Sequence, residues 1–139
     1  MSKARQFCYE VQVRFRDIDG MGHINNAVYH TYLEYCRIQS LEQMELSQIY
    51  SHNRAVPIIL ARTEIDYVKP GFLSDKIQVE GRITHVSNKS FHQEYEVFSQ
   101  THTLAKAKAV LVWIDETNHT SIVIPDEPRA ILNENLASS

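Results

Sequence analysis

One segment, Ala27 to Met44, limits what this chain can fold into. Placed on a helix, Ala27, Val28, Tyr29, Tyr32, Leu33, Tyr35, Cys36, Ile38 and Leu41 occupy most of the circumference. His30, Glu34 and Arg37 recur at i, i+4 and i+7 and form one narrow polar stripe. A helix that is apolar over most of its surface has to be buried. Something must wrap it, and the rest of the sequence supplies strands rather than a second long helix.

Phe7 to Phe15 alternates, with Phe7, Tyr9, Val11, Val13 and Phe15 on one face, which is the period of a half-buried strand. Val56 to Val68, Asp75 to Val86, Phe91 to Phe98 and Leu104 to Ile114 repeat that period. They are separated by Lys69-Pro70-Gly71 and by Ser87-Asn88-Lys89-Ser90, which are turn chemistry. Ala105, Ala107 and Ala109 share a face small enough for a helix to sit close. Ser47 to Asn53 reads as polar loop or frayed helix end. A short Ser121 to Ile124 strand then leads to a brief helix capped by Asp126, with Pro128 near its first position. The expected architecture is α+β, a curved antiparallel sheet around one long buried helix, as a single domain over residues 1–139. Such a sheet leaves an edge exposed, and pairing edges across a two-fold axis predicts a homo-oligomer.

Composition narrows the function. A hydrophobic fraction of 43% and a charged fraction of 22% belong to a soluble globular chain. Fourteen Lys plus Arg against 17 Asp plus Glu give a net charge of −3, which argues against nucleic acid or an anionic membrane as partner. No run approaches the roughly 18 apolar residues of a membrane span. Met1 to Gln6 carries no apolar segment of the secretory type, so a cytoplasmic location is expected. Cys8 and Cys36 form no C-x-x-C pair, and the seven histidines show no H-x-x-x-H spacing, so no metal is expected.

Between the first strand and the helix lies Arg16-Asp17-Ile18-Asp19-Gly20-Met21-Gly22-His23-Ile24-Asn25-Asn26. These residue types build ordinary turns and caps. They are also what a reactive loop needs: Gly22 lets backbone approach a ligand, and Asn25 or Asn26 can cap the following helix. That helix start then offers unpaired N–H groups and the positive end of a dipole. An acid beside it is suited to chemistry at a carbonyl. Asp17 reads as structural, and Glu34 with Arg37 as an ion pair within the helix.

The run Arg16-x-x-Asp19-x-x-Gly22-His23-Ile24-Asn25-Asn26-x-x-Tyr29-x-x-Tyr32-x-Glu34-x-x-Arg37 resembles the signature of the hot-dog-fold acyl-CoA thioesterases, the 4-hydroxybenzoyl-CoA thioesterase-like group. The resemblance continues through Ile65 to Gly71 and the Asn88-Lys89-Ser90-Phe91 turn. It implies the hot-dog fold, hydrolysis of an acyl-CoA to acid and free thiol, and no cofactor beyond the coenzyme A of the substrate. It implies that Asp19 is the catalytic base or nucleophile, with N–H groups around Asn26 and Ala27 polarising the carbonyl. His23 would orient water or substrate, Asn25 would position, and Tyr29 would line the acyl pocket. For the coenzyme's phosphates the candidates are Arg62, Lys69, Arg82 and Lys89, with Lys89 and Ser90 favoured by their place in a turn. The resemblance also implies a homodimer or homotetramer with the site at the subunit interface. An acyl-carrier-protein thioesterase, a hydratase or dehydratase, and a non-catalytic acyl-thioester binder are the alternatives, since a fold alone does not select among them.

Overall fold

The computed structural model describes residues 7–49 and 56–137. Five strands, β1 (Phe7–Val11), β2 (Ile58–Tyr67), β3 (Ile77–Val86), β4 (Ser90–Phe98) and β5 (Thr103–Trp113), form one antiparallel sheet in the order β1-β3-β4-β5-β2. The long helix α1 (Val28–Gln43) packs against β1 and β3, and a short helix α2 (Asp126–Glu134) closes the chain. This is the expected arrangement of sheet and helix.

Period two decides the sheet. Ile77, Val79, Gly81 and Ile83 of β3 point inward and are buried, as the alternation requires. Under the first half of α1, Ile77 and Val79 join Tyr29, Tyr32, Leu33 and Cys36, while Ile83 belongs with the cluster under its second half. Under its second half, Leu41 and Met44 meet Phe91, Leu111, Trp113 and Leu132. On the outer face Arg82, Glu94, Lys108 and Glu64 stand side by side across four strands. Alternating charges of this kind keep the face wetted.

Several elements differ from the expectation. β1 stops at Val11, and Phe15 to Asp17 form a 3-10 turn that leaves Phe15 83% exposed. The loop needs that turn to bury Asp17, whose Oδ2 accepts the Tyr32 hydroxyl at 3.0 Å and the Arg14 N–H at 2.9 Å. The helix is not apolar all round: Tyr35 and Ile38 are exposed because the sheet covers one side of it. Arg37 does not pair with Glu34. It is buried, and its Nε donates to the Tyr95 hydroxyl at 2.9 Å. That hydroxyl donates to Gln93 Oε1 at 2.7 Å, and Gln93 Nε2 to Ser40 at 3.0 Å. Buried polar groups satisfied in this way cost little and fix the helix register on the sheet. Asp126 is the first residue of α2 rather than its cap, and Ser121 makes only an isolated bridge to Ile114. The segment Ser47 to Asn53 begins in a 3-10 turn, Leu46–Ile49, and its remainder lies outside the described residues.

Candidate active site

The loop before α1 folds back on itself. Ile18 and Ile24 bridge, the Asp19 N–H donates to the His23 carbonyl at 2.8 Å, and the Gly22 N–H to the Asp19 carbonyl at 3.1 Å. Gly22 sits at φ 81°, a left-handed position that glycine takes without strain. The turn decides how the Asp19 carboxylate is held. Its Oδ1 accepts the N–H of Met21 at 2.9 Å and that of His23 at 3.1 Å. Its Oδ2 has no donor among the described residues. One oxygen is fixed by backbone, and the other stays available.

A second loop closes against the first through the Ile24 N–H, which donates to the Gly71 carbonyl at 2.8 Å. The result is a cleft of about 220 Å³ lined by Asp19, His23, Asn26, Tyr29, Tyr67 and Lys69, with Ile24, Val68 and Pro70. Asp19, His23, Asn26 and Tyr29, all anticipated from the sequence, converge here. Lys69 joins them as the cation of the cleft.

The donors at the helix start differ from the expectation. Asn25 Oδ1 accepts the Ala27 N–H at 3.0 Å, so that group is occupied. The Asn25 and Asn26 carbonyls take the N–H groups of Val28 and Tyr29, and Ala27 caps the helix with no side-chain bond. The Asn26 N–H is the one donor of this turn left without an acceptor among the described residues. The His23 ring packs edge-on against Phe72, with centroids 5.3 Å apart, and its contact with Asp19 is through backbone.

Tyr67 is the residue that sequence reading missed. Its hydroxyl donates to the Asn26 carbonyl at 3.1 Å, and its ring meets Tyr29 at 5.4 Å. Alternation put it within the Val56 to Val68 strand and gave it no role; its position immediately before the Val68-Lys69-Pro70-Gly71 break was the available signal. Burial first, then the neighbouring Tyr67 and Asp75, raise the Tyr29 hydroxyl above the ordinary phenol range, so it enters any chemistry protonated.

The remaining candidates lie elsewhere in the protomer. Arg62 pairs with Glu64 on β2, and Arg82 stands opposite Glu94 on the solvent face. Gly22 and Asn25 shape the turn rather than line the cleft. Lys89 and Ser90 sit at the other end of the sheet. Tyr67 pairs with Ala105 and Ser90 with Val112, a separation along β5 of about 23 Å at the usual strand rise. Among the described residues no three His, Cys, Asp or Glu side chains form a metal-binding group, and no helix is long and apolar enough to cross a membrane.

Comparison with known proteins gives concordant results. A sequence profile described as thioesterase-like superfamily matches residues 13–132. The chain is 26% identical over 128 residues to the long-chain acyl-CoA thioesterase FadM of Escherichia coli, covering 90% of this chain and 96% of that one. It is 25% identical over 126 residues to the chloroplastic acyl-acyl carrier protein thioesterase ATL3 of Arabidopsis thaliana, covering 88% of this chain but 66% of that relative's length. A thioesterase of Thermus thermophilus, solved with coenzyme A and Zn, superposes with a TM-score of 0.79 at 31% identity, over 90% of this chain and 95% of that one.

Proposed function

The chain belongs to the thioesterase-like superfamily and is a thioester hydrolase, and we propose that it cleaves an acyl-CoA at the cleft around Asp19. The observation that carries the reading is the divided Asp19 carboxylate, one oxygen tied to two backbone N–H groups and the other without a donor among the described residues, in a cleft that Asn26 at the helix start also lines. A thioester carbonyl needs an oxygen nucleophile on one side and a donor for the developing oxyanion on the other. Asp19 Oδ2 provides the first, either by taking a proton from an attacking water or by attacking the carbonyl carbon itself. The Asn26 N–H provides the second, and the Tyr67 hydroxyl on the Asn26 carbonyl holds that peptide in place. Where water attacks, collapse of the tetrahedral intermediate gives the acid and expels the coenzyme as thiolate, which takes up the proton held by Asp19. Where Asp19 attacks, collapse expels the thiolate and leaves an acyl–Asp19 anhydride, which water hydrolyses to the acid and the free carboxylate, its proton going to the thiolate. No cofactor takes part; coenzyme A enters as part of the substrate.

The reading includes a homodimer with the site at its interface. β2 is a ten-residue edge strand with Ile59, Leu60 and Tyr67 exposed, and its outer side has no partner among the described residues. Two copies that pair this edge antiparallel about its middle bring the Ile58 end of one strand beside the Tyr67 end of the other. The partner's β3–β4 turn then stands about three strand spacings, or roughly 14 Å, from the cleft. That distance is shorter than the one within a protomer and within reach of a pantetheine arm. Lys89 and Ser90 thus regain the phosphate-binding role.

Thiol release from short, long and aromatic acyl-CoAs, and from acyl carrier protein loaded with the same groups, tests the reaction. Asp19→Asn is expected to fold normally and to lose about two to three orders of magnitude in kcat, the usual loss for an acid–base or nucleophilic group. Retained activity in Asp19→Asn would remove the residue from the mechanism. Hydration of an enoyl-CoA without thiol release would replace the reaction.

A further inference from the structure

The β3–β4 turn is held from behind by a residue far away in sequence. Arg129 of α2 donates through Nη1 to the Ser87 carbonyl at 3.0 Å and through Nη2 to the Asn88 carbonyl at 2.7 Å. The other carbonyls of the turn are also occupied. The Ile124 N–H donates to Asn88 at 3.0 Å, the Trp113 N–H to Lys89 at 2.8 Å, and the Ser87 N–H to Ser90 at 2.7 Å. All the carbonyls from Ser87 to Ser90 are therefore engaged by protein donors. Solvent is left with the N–H groups of Asn88 and Lys89, which have no acceptor among the described residues, and with the exposed Lys89 side chain and the Ser90 hydroxyl. Successive outward N–H groups beside a cation form an anion-binding concavity. Free carbonyls on the same turn would oppose a phosphate; here none is free.

We infer that Arg129 is a positioning residue for coenzyme A: by holding the Ser87 and Asn88 carbonyls inward it presents the Asn88 and Lys89 N–H groups, the Lys89 ammonium and the Ser90 hydroxyl to the coenzyme's phosphates. The inference rests on the acyl-CoA reading above, with the turn of one subunit serving the cleft of its partner. Arg129 itself faces the back of the turn, so it acts through the turn and does not touch the reacting atoms.

The test compares one acyl group carried by coenzyme A and by N-acetylcysteamine, which has the thiol but no phosphate. Native protein, Arg129→Ala and Arg129→Lys are measured on both. In Arg129→Ala, KM for the coenzyme A ester is expected to rise about tenfold, with kcat and the truncated ester little changed. Arg129→Lys, which can hold one carbonyl at a time, should fall between. If the alanine variant does not fold, the lysine variant carries the comparison. Equal losses on both esters would make Arg129 a general brace of the fold, and an unchanged KM for the coenzyme A ester would detach it from coenzyme binding. Either result overturns this inference while the hydrolase reading stands. Native protein that turns over both esters with equal efficiency would remove the phosphate site itself, and no thiol release from any ester would overturn the acyl-CoA reading along with it.

Discussion

α1 and the core beneath it cover the sheet from β1 to β5 and leave the β2 side bare, and the covered and open parts are built from different materials. Over β1 and β3 the helix lies close: Gly81 faces Cys36, and Arg37, Tyr95, Gln93 and Ser40 complete a buried hydrogen-bonded chain. Each of those four side chains has a hydrogen-bond partner within the protomer. Toward β2 the picture reverses. Ile38 on the helix and Ile59, Leu60 and Tyr67 on the strand stay exposed, and the buried hydroxyl Oγ1 of Thr63 has no hydrogen-bond partner among the described residues. A void of about 450 Å³ separates Arg37, Ile38 and Leu41 from Ile58 and Leu60. The covered half is finished as a folding unit. The open half holds the cleft, and under the proposed reading it is the side that meets substrate and a second copy of the chain.

The largest effect that would separate the halves is expected at Gly81. A Cβ placed there would stand 2.9 Å from Cys36 Sγ and 3.1 Å from Gln93 Nε2. Gly81→Val should therefore cost about 2–3 kcal/mol through overpacking, read as a lower midpoint in urea, whereas Asp19→Asn should leave that midpoint almost unmoved. A Gly81→Val protein as stable as the native one would show that the covered half is not tightly packed. A smaller effect is expected on the open edge. Ile59→Lys should leave the protomer's fold intact and weaken self-association by about tenfold or more, since a lysine on an edge strand opposes strand pairing. Sedimentation measures it directly. An unchanged association constant would place the dimer contact elsewhere.

The difference between the halves also explains what the sequence could reveal. Periods of 2 and 3.6 reflect burial within one chain, so the strands and the long helix were legible, β3 down to its four inward residues, although it starts at Ile77 rather than Asp75. The full burial expected for α1 failed at Tyr35 and Ile38, which stay exposed, because periodicity shows that a face is apolar and not what covers it. The Asp19 cleft was legible because its residues are crowded into one loop. Tyr67 was not, since its role depends on a strand end reaching Asn26 across 41 residues of chain. The Ala27 N–H was counted as a donor because a sequence does not show which way the Asn25 side chain turns. Arg129 gave no signal at all: an arginine on a short helix looks solvated until its carbonyl partners are seen.

The smallest effect falls on the seam between the halves, at Tyr32. Its hydroxyl is the contact by which α1 holds Asp17, and the Asp17 carbonyl in turn accepts the Asn25 N–H at 2.8 Å. Tyr32→Phe removes one donor from a buried carboxylate and should cost about 1 kcal/mol at neutral pH. Alkaline titration sharpens the point. Burial, then the bond to Asp17, raises Tyr32; burial raises Tyr95; and burial pushes Tyr9 and Cys36 up to about 12. Tyr9, Cys36 and Tyr95 belong to the covered half and Tyr32 to its seam. Each binds its proton more tightly folded than unfolded, so the native state holds the extra protons and stability falls as pH rises. The contribution is complete below the unfolded values, about 8.5 for a thiol and about 10 for a phenol, and is lost as pH climbs through the folded ones. Urea midpoints recorded from pH 8 to 11 should therefore decline in the native protein and decline less steeply in Tyr32→Phe, which begins lower but has one phenol fewer to ionise. Parallel curves for the two proteins would mean that Tyr32 contributes nothing to the alkaline loss and that the seam is held by other contacts.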